Sequence, residues 1–255
     1  MKKIIFILAF LLGCFLTVSA ETDAEKIVRI YNTANELDKA GRYSEAIRYY
    51  IQAYELGEKN FAPMKLAEFY ALGKGTQENF VESDKWLRIA ADNGNAHAQN
   101  MVGDIYYYGM GVNKNPQEAA KWYLKSAEQG YSDAQYKIAL AYLDGEGVPQ
   151  NNTQGLLWLR KSADNNHPDA QDALAIIYGF GKNGVQKDEK EFVKWALKAA
   201  NNGSASSQSQ FRAGNIYQYG IGGIKPNKNE AIKWYKLAAE QGDKDAIQKL
   251  VELGY

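Results

Sequence analysis

The decapeptide KWYLKSAEQG at residues 121–130 recurs with three changes as KWYKLAAEQG at residues 233–242. A catalytic group is needed only once, whereas a structural building block is needed many times. The 5 tryptophans of the chain follow the same pattern, because they lie 36, 36, 37 and 39 residues apart. An alanine follows each tryptophan by five residues, and a tyrosine and a glycine-rich turn precede it. The chain is therefore built from repeats, marked by Trp86, Trp122, Trp158, Trp195 and Trp234.

The residue pattern of each repeat predicts two helices joined by a glycine turn. In AQNMVGDIYYYG, Ala98, Val102 and Ile105 keep the three-to-four spacing of one helix face. The glycine that follows is the residue that most easily adopts the left-handed conformation at a helix C terminus. The second helix begins at Asn or Asp with Glu or Gln three residues later, which is the spacing of a capping box. The pairs are Asn79/Glu82, Asn115/Glu118, Asn151/Gln154, Asp188/Glu191 and Asn227/Glu230.

The repeats resemble Sel-1-like repeats, which are relatives of the tetratricopeptide repeat. The pattern is most complete over residues 98–130 and 209–242, with an alanine–glutamine or serine–glutamine start, the glycine turn and the WYxKAAEQG-like end. The resemblance implies an all-α, right-handed α/α solenoid of stacked helix-turn-helix repeats. Neighbouring repeats supply the core, since one helix pair cannot bury its apolar face alone.

The repeats and their two different ends predict a single solenoid domain over residues 21–255. Residues 27–60 resemble a tetratricopeptide unit, and residues 246–255 indicate a capping helix without a partner. Between them we expect Sel-1-like repeats at residues 62–94, 98–130, 134–166, 170–203 and 209–242. The strict spacing of the tryptophans predicts that they pack in the core of each repeat.

The N terminus predicts export. MKKIIFILAFLLGCFLTVSA (residues 1–20) has two lysines, an apolar run and small residues at its end. This order is typical of a signal peptide cleaved after Ala20, and the run is shorter than the ~20 residues of a membrane-spanning helix. We expect a periplasmic protein. Because LLGC resembles a lipobox, the alternative is a lipid anchor at Cys14.

The composition argues against nucleic acid as a ligand, and the motifs argue against catalysis. Lys+Arg and Asp+Glu both number 30, so the basic footprint of a nucleic-acid binder is missing. His97 and His167 have no companion at metal-ligand spacing, and His167 before Pro168 favours a helix start. Neither the S-x-x-K and K-T-G motifs of penicillin-binding enzymes nor a phosphate-binding G-K-[ST] occurs. We expect no catalytic residue, metal or cofactor.

One cluster of carboxylates leaves an alternative open. Asp104, Asp144 and Asp172 lie on or beside successive first helices, where they could share a groove or form a solvated face. A β-lactam or cell-wall hydrolase would need such convergent groups together with a nucleophile, and remains the less favoured alternative.

The family resemblance implies protein binding through the concave face formed by the first helices. The partner could be a secreted effector enzyme, an envelope component or a host protein. An inhibitor or immunity protein for a type VI phospholipase effector is one such role. Large or polar side chains that packing does not require are expected to contact the partner. These predicted groove residues are Tyr31, Asn35, Met64, Glu68, Asn100, Asp104, Tyr107, Tyr136, Leu140, Leu143, Asp172, Ile176, Phe211, Asn215 and Gln218.

Overall fold

A computed structural model describes residues 21–255, so the predicted signal peptide and Cys14 lie outside the described residues. Over residues 21–255 the chain forms 13 α-helices and a short 3-10 helix at Ile221–Gly223, and that part has no strand. None of these helices is long and apolar enough to cross a membrane. The helices are α1 (Asp23–Lys39), α2 (Tyr43–Leu56), α3 (Phe61–Leu72), α4 (Phe80–Asp92), α5 (Ala96–Tyr108), α6 (Pro116–Glu128), α7 (Ser132–Asp144), α8 (Asn152–Asp164), α9 (Pro168–Phe180), α10 (Glu189–Ala200), α11 (Ser207–Tyr219), α12 (Lys228–Glu240) and α13 (Lys244–Glu252).

The chain divides into two compact units, and the first ends at Trp86. In this unit α1 packs on α2, and α2 packs on α3. Tyr50 and Phe69 are fully buried, and their rings meet edge to face with centroids 5.6 Å apart. Aromatic pairs in this geometry stabilise a core beyond the area that they bury.

The second unit, Leu87–Tyr255, contains α5 to α13. Its helices pack as the pairs α5/α6, α7/α8, α9/α10 and α11/α12, and each second helix also packs on the following first helix. Alanines fill the closest contacts, as at Ala134, Ala163 and Ala170, which are fully buried. This packing confirms the all-α solenoid of helix-turn-helix repeats.

The glycine turns serve two separate purposes. Gly145 ends α7 in the left-handed conformation, with φ 73°, which glycine adopts without a steric penalty. Gly147 approaches the preceding repeat so closely that a Cβ atom would lie 2.2 Å from the carbonyl oxygen of Pro116. The first glycine of the GxG pattern therefore ends the helix, and the second lets the backbone contact the preceding repeat.

The predicted N-caps are present, but the full capping boxes are not. The side chain of Asn115 accepts the backbone N–H of Glu118 at 3.0 Å, and the other four pairs form the same bond. The reciprocal bond is missing within residues 21–255 except at Thr22 and Glu25. Instead the Asn115 N–H donates to the carbonyl of Tyr106 at 2.7 Å, which ties the second helix to the first.

The prediction of a tryptophan core holds for only part of the set. Trp86, Trp158 and Trp195 are buried, whereas Trp122 and Trp234 are half-buried. In the repeats of the latter two, the next residue takes the core position, since Tyr123 is 4% exposed and Tyr235 0%. Where tyrosine follows tryptophan, the tyrosine occupies the interior and the tryptophan moves toward the surface.

Candidate functional site

The Leu87–Tyr255 unit contains a cavity of about 370 Å³ between first helices. Its walls come from the end of α5, the length of α7, the turn after α7 and the start of α9, and its floor comes from Pro116 and Ala120 of α6. The other lining residues are Tyr107, Tyr108, Tyr123, Asp133, Tyr136, Lys137, Leu140, Ala141, Asp144, Glu146, His167 and Asp169. We call this the α5/α7 cavity.

A buried tyrosine and a lysine fix the inner wall of the cavity. The Tyr123 hydroxyl donates to Asp104 Oδ1 at 2.7 Å, and Lys137 Nζ lies 2.7 and 2.8 Å from the two Asp104 oxygens. Lys137 also donates to Asn100 Oδ1 at 3.1 Å. Burial and the bond to Asp104 raise the pKa of Tyr123, so this hydroxyl stays protonated and donates. The ammonium of Lys137 is thus held by α5 rather than free to leave the wall.

Tyr107 and the turn after α7 together form the second wall of the cavity. Its hydroxyl donates to Glu146 Oε2 at 2.9 Å, and Lys114 Nζ lies 3.2 Å from Glu146 Oε1. The bonds from Tyr107 and Lys114 keep the pKa of Glu146 below its usual range. The same Lys114 ammonium sits 5.1 Å from the Tyr107 ring centroid. A carboxylate, a cation and an aromatic face therefore hold one another in place.

Tyr136 and His167 stack at the third wall. Their ring centroids lie 4.8 Å apart with 22° between the planes. His167 caps α9, because its Nδ1 accepts the Ala170 N–H at 3.3 Å, which confirms that it starts a helix. Its Nε2 lies 3.4 Å from Asp133 Oδ1. Burial nevertheless lowers the pKa of His167, against the opposing effect of Asp133.

The rim of the cavity has an excess of negative charge. Glu146 pairs with Lys114 and Asp104 with Lys137. Across residues 21–255, no lysine or arginine forms an ion pair with Asp144 or Asp169, and both are exposed. The cavity thus offers carboxylates to a ligand, next to aromatic rings.

The structure brings part of the predicted groove set together here. Tyr107, Tyr136 and Leu140 line the cavity, and Asp104 adjoins it through Lys137. Asp144, from the carboxylate cluster, also lines it, whereas Asp172 pairs elsewhere with Arg212.

Two predicted groove residues lie in the core of the Leu87–Tyr255 unit. Asn100 is 4% exposed and Leu143 7% exposed, so neither offers a surface to a partner. The family resemblance placed them on the groove face, but Lys137 covers Asn100. Leu143 packs on Gly155 of α8 so closely that a Cβ atom there would lie 2.6 Å from it.

Most of the remaining predicted residues outside the cavity have contacts within their own unit. Asn35 and Asn215 accept hydrogen bonds from the hydroxyls of Tyr50 and Tyr235, each at 2.8 Å. The others are half-buried: Tyr31, Met64, Glu68, Ile176, Phe211 and Gln218. Tyr31 and Phe211 each lie beside another aromatic ring, Glu68 pairs with Lys74, and Gln218 accepts a hydrogen bond from the Tyr235 hydroxyl. Many groove positions therefore also hold the repeat itself together.

Sequence reasoning missed several cavity residues. Tyr108 is the residue before the glycine that ends α5, and its side chain is 67% exposed. Tyr219, at the same place in α11, is 57% exposed. An aromatic residue at this repeated, solvent-facing position was the available signal. No such signal marked Asp169 and His167, because their place in the cavity lining depends on how α9 lies beside α7.

Within residues 21–255 no group of three or more His, Cys, Asp or Glu side chains is placed to hold a metal. Stacked helix pairs with a cavity between first helices define the class: this is a helical repeat scaffold. The Sel1 repeat family model matches six segments, residues 42–58, 62–95, 96–131, 132–167, 168–204 and 207–243. The chain therefore belongs to the Sel1 repeat family.

Solved structures agree with this membership. A Sel1 repeat protein from Oxalobacter formigenes is 30% identical with a TM-score of 0.73, over 85% of this chain and 87% of that one. The protective antigen c5321 of uropathogenic Escherichia coli, described as displaying an SLR fold, is 31% identical with a TM-score of 0.66. That match covers 80% of this chain and 43% of the antigen, which is thus the longer protein. Comparison with curated protein sequences gave no match.

Proposed function

We propose that the chain is an exported, non-catalytic scaffold that binds another protein through the α5/α7 cavity. Sel1 repeats mediate protein–protein binding, and the family is generally non-catalytic. The observation that carries the proposal is the cavity rim. Tyr108, Asp144 and Asp169 are exposed at this rim, and the Tyr108 ring meets the ring of its neighbour Tyr107 edge to face, with centroids 5.0 Å apart. Exposed aromatic side chains around a concave site are common anchors for a partner.

The partner class we favour is an effector enzyme of the bacterial envelope that this chain inhibits. This rests on the export signal predicted for residues 1–20 and on a cavity that could receive a protruding loop. Roles as an envelope adaptor or as a binder of host proteins are the alternatives, and they predict different captured proteins.

Capture of a partner from envelope extract tests this proposal. The mature chain (residues 21–255) is immobilised beside Tyr108→Ala, which removes an exposed ring at the cavity rim. Tyr219→Ala is the matched control, because it removes a ring at the same repeat position of α11, where it does not line the cavity.

We expect one stoichiometric protein, retained by Tyr219→Ala and reduced with Tyr108→Ala. Inhibition of that protein's enzymatic activity by the purified chain would then establish the inhibitor role. A partner held equally well by Tyr108→Ala would place the binding surface elsewhere, and a hydrolytic activity of the chain itself would contradict the scaffold role.

A further inference from the structure

We infer that the α5/α7 cavity receives the guanidinium group of an arginine side chain presented by the partner protein. This inference deepens the proposed function and rests on it. It starts from the aromatic walls, since Tyr107, Tyr108 and Tyr136 all line the space. The negative face of such rings attracts a cation within about 6 Å of the centroid.

Two lysines of the chain are already held in this way, Lys137 in the cavity lining and Lys114 against the lining residues Tyr107 and Glu146. Lys137 Nζ lies 5.3 Å from the Tyr123 centroid, and Lys114 Nζ lies 5.1 Å from the Tyr107 centroid. Each ammonium is also bound to a carboxylate of the chain. Aromatic ring, carboxylate and cation are thus a combination that this site builds twice from its own residues.

Another part of the cavity has aromatic rings and carboxylates but no cation supplied by the chain. Over residues 21–255, no lysine or arginine lies over the rings of Tyr108 or Tyr136. The carboxylates of Asp144 and Asp169 have no lysine or arginine partner within the same residues. A third cation from outside would complete the pattern, which gives the ligand a positive charge.

Arginine fits this space better than lysine. A guanidinium is flat, stacks on aromatic faces and donates from both edges, whereas an ammonium is a strongly hydrated point charge. Its fork can reach a carboxylate while its face lies on a tyrosine ring. Arginine is also enriched among the residues that dominate binding energy in protein interfaces. About 370 Å³ leaves room for the group and for the chain that leads to it.

Titration of the purified chain with small probes tests the inference without the partner. The probes are N-acetyl-arginine amide, its lysine counterpart, and N-acetyl-citrulline amide, which has the same shape as the arginine probe but no charge. Binding is followed by NMR through the ring signals of the tyrosines and of His167, at probe concentrations that detect millimolar affinity.

We expect the arginine probe to bind at least tenfold more tightly than citrulline and more tightly than lysine. Asp144→Asn/Asp169→Asn should weaken arginine binding by about tenfold, because it removes both unpaired carboxylates. The control Glu128→Gln/Glu240→Gln removes the same number of negative charges from the same unit, at exposed helix ends outside the cavity. It should leave the affinity unchanged.

The two proposals fail in different ways. Equal affinity for arginine and citrulline, no saturable shift with any probe, or equal weakening by the control pair would each overturn the guanidinium inference. Loss of partner capture with Tyr108→Ala would still support the binding surface in that case. Tighter binding of lysine than of arginine would overturn the choice of guanidinium.

Discussion

At the scale of single residues, three positions of the repeat change together. In two repeats of the Leu87–Tyr255 unit, a tyrosine directly follows the tryptophan on the second helix. In both, the first helix has a glycine that makes room for the tyrosine ring and, next to it, an Asp or Asn that accepts a hydrogen bond from the tyrosine hydroxyl. A Cβ atom on the glycine would lie 2.5 Å from one tyrosine ring and 2.4 Å from the other. Burial raises the pKa of Tyr235 to about 12. The two sets are Gly103/Asp104/Tyr123 and Gly214/Asn215/Tyr235.

The repeat at residues 132–167, one of two in this unit without the tyrosine, has different residues at all three positions. Ala139 stands in place of the glycine, Leu140 in place of the acceptor and Leu159 in place of the tyrosine. Ala139 and Leu159 are both fully buried. The polar set and the apolar set are two alternative ways to fill the same space, which explains why Leu140 can line the cavity.

Gly103→Ala should destabilise the protein by about 1–3 kcal/mol, because the added methyl overlaps the Tyr123 ring. In the double variant Gly103→Ala/Tyr123→Leu, the alanine should cost much less, since this recreates the Ala139/Leu159 pair. Urea unfolding of the four proteins of this double-mutant cycle measures the coupling. Additive losses would show that the glycine is not there to accommodate the ring.

Tyr123→Ala should cost more stability than Trp122→Ala. Tyr123 is 4% exposed, and truncation of a large buried aromatic costs about 3–5 kcal/mol. Trp122 is half-buried and lies against Lys125, whose Nζ is 4.1 Å from the ring centroid, so about 1–2 kcal/mol is expected. Thermal unfolding of both variants ranks them. The reverse order would restore the original prediction of a tryptophan core.

At the scale of helices, the start of α9 depends on a titratable side chain. His167 accepts the Ala170 N–H and stacks on Tyr136. Burial lowers its folded-state pKa below the ordinary value of 6.5, in spite of Asp133 and Asp169 nearby and with help from Lys137. The unfolded chain therefore takes up this proton at a higher pH than the folded chain does, so stability is lost as the pH falls below about 6.5.

We expect the unfolding temperature of the protein to drop between pH 7.5 and pH 5.5 more than that of His167→Asn. Asparagine is the matched replacement, because Asn95 caps α5 at the same repeat position by accepting the Ala98 N–H at 2.9 Å. The variant keeps the cap and cannot titrate. Identical pH profiles for the two proteins would show that His167 does not contribute to the pH dependence.

The sequence alone predicted the helices and their caps well, because these depend on local residues. The glycine after each first helix and the Asn or Asp before each second helix act through nearby backbone. The capping box was wrong at Asn115 because the Tyr106 carbonyl, nine residues away, competes for its N–H. The cavity was predicted only in part, since its walls come from three repeats and from the turn at Glu146.

At the scale of the whole unit, a ladder of amides joins successive repeats. Gln135 donates to the Ala127 carbonyl at 3.1 Å and accepts from Asn165 at 2.9 Å. Gln99 and Gln171 repeat the arrangement one helix pair before and after it. Each buried amide is therefore bonded to the second helix of the preceding repeat and to the residue near the end of the second helix of its own repeat. Contacts in the Leu87–Tyr255 unit are made chiefly between neighbours, as in other repeat proteins.

This nearest-neighbour design predicts how the unit responds to loss of its last helix. Ala246, Leu250 and Leu253 pack on the buried Tyr235 and on Ala238 of α12. Truncation after Gly242 removes this cover. Because each repeat depends on its neighbour, α11 and α12 should lose protection first, while α7 and α8 keep theirs.

Amide hydrogen exchange of the truncated and full chains, followed helix by helix, measures this gradient. A full-length variant with Leu250→Ser is the companion, because it weakens the same contact without shortening the chain, and it should give a milder form of the same gradient. Faster exchange by the same factor in α7 and α12 would contradict the prediction. It would mean that the Leu87–Tyr255 unit unfolds as one cooperative body rather than from its end.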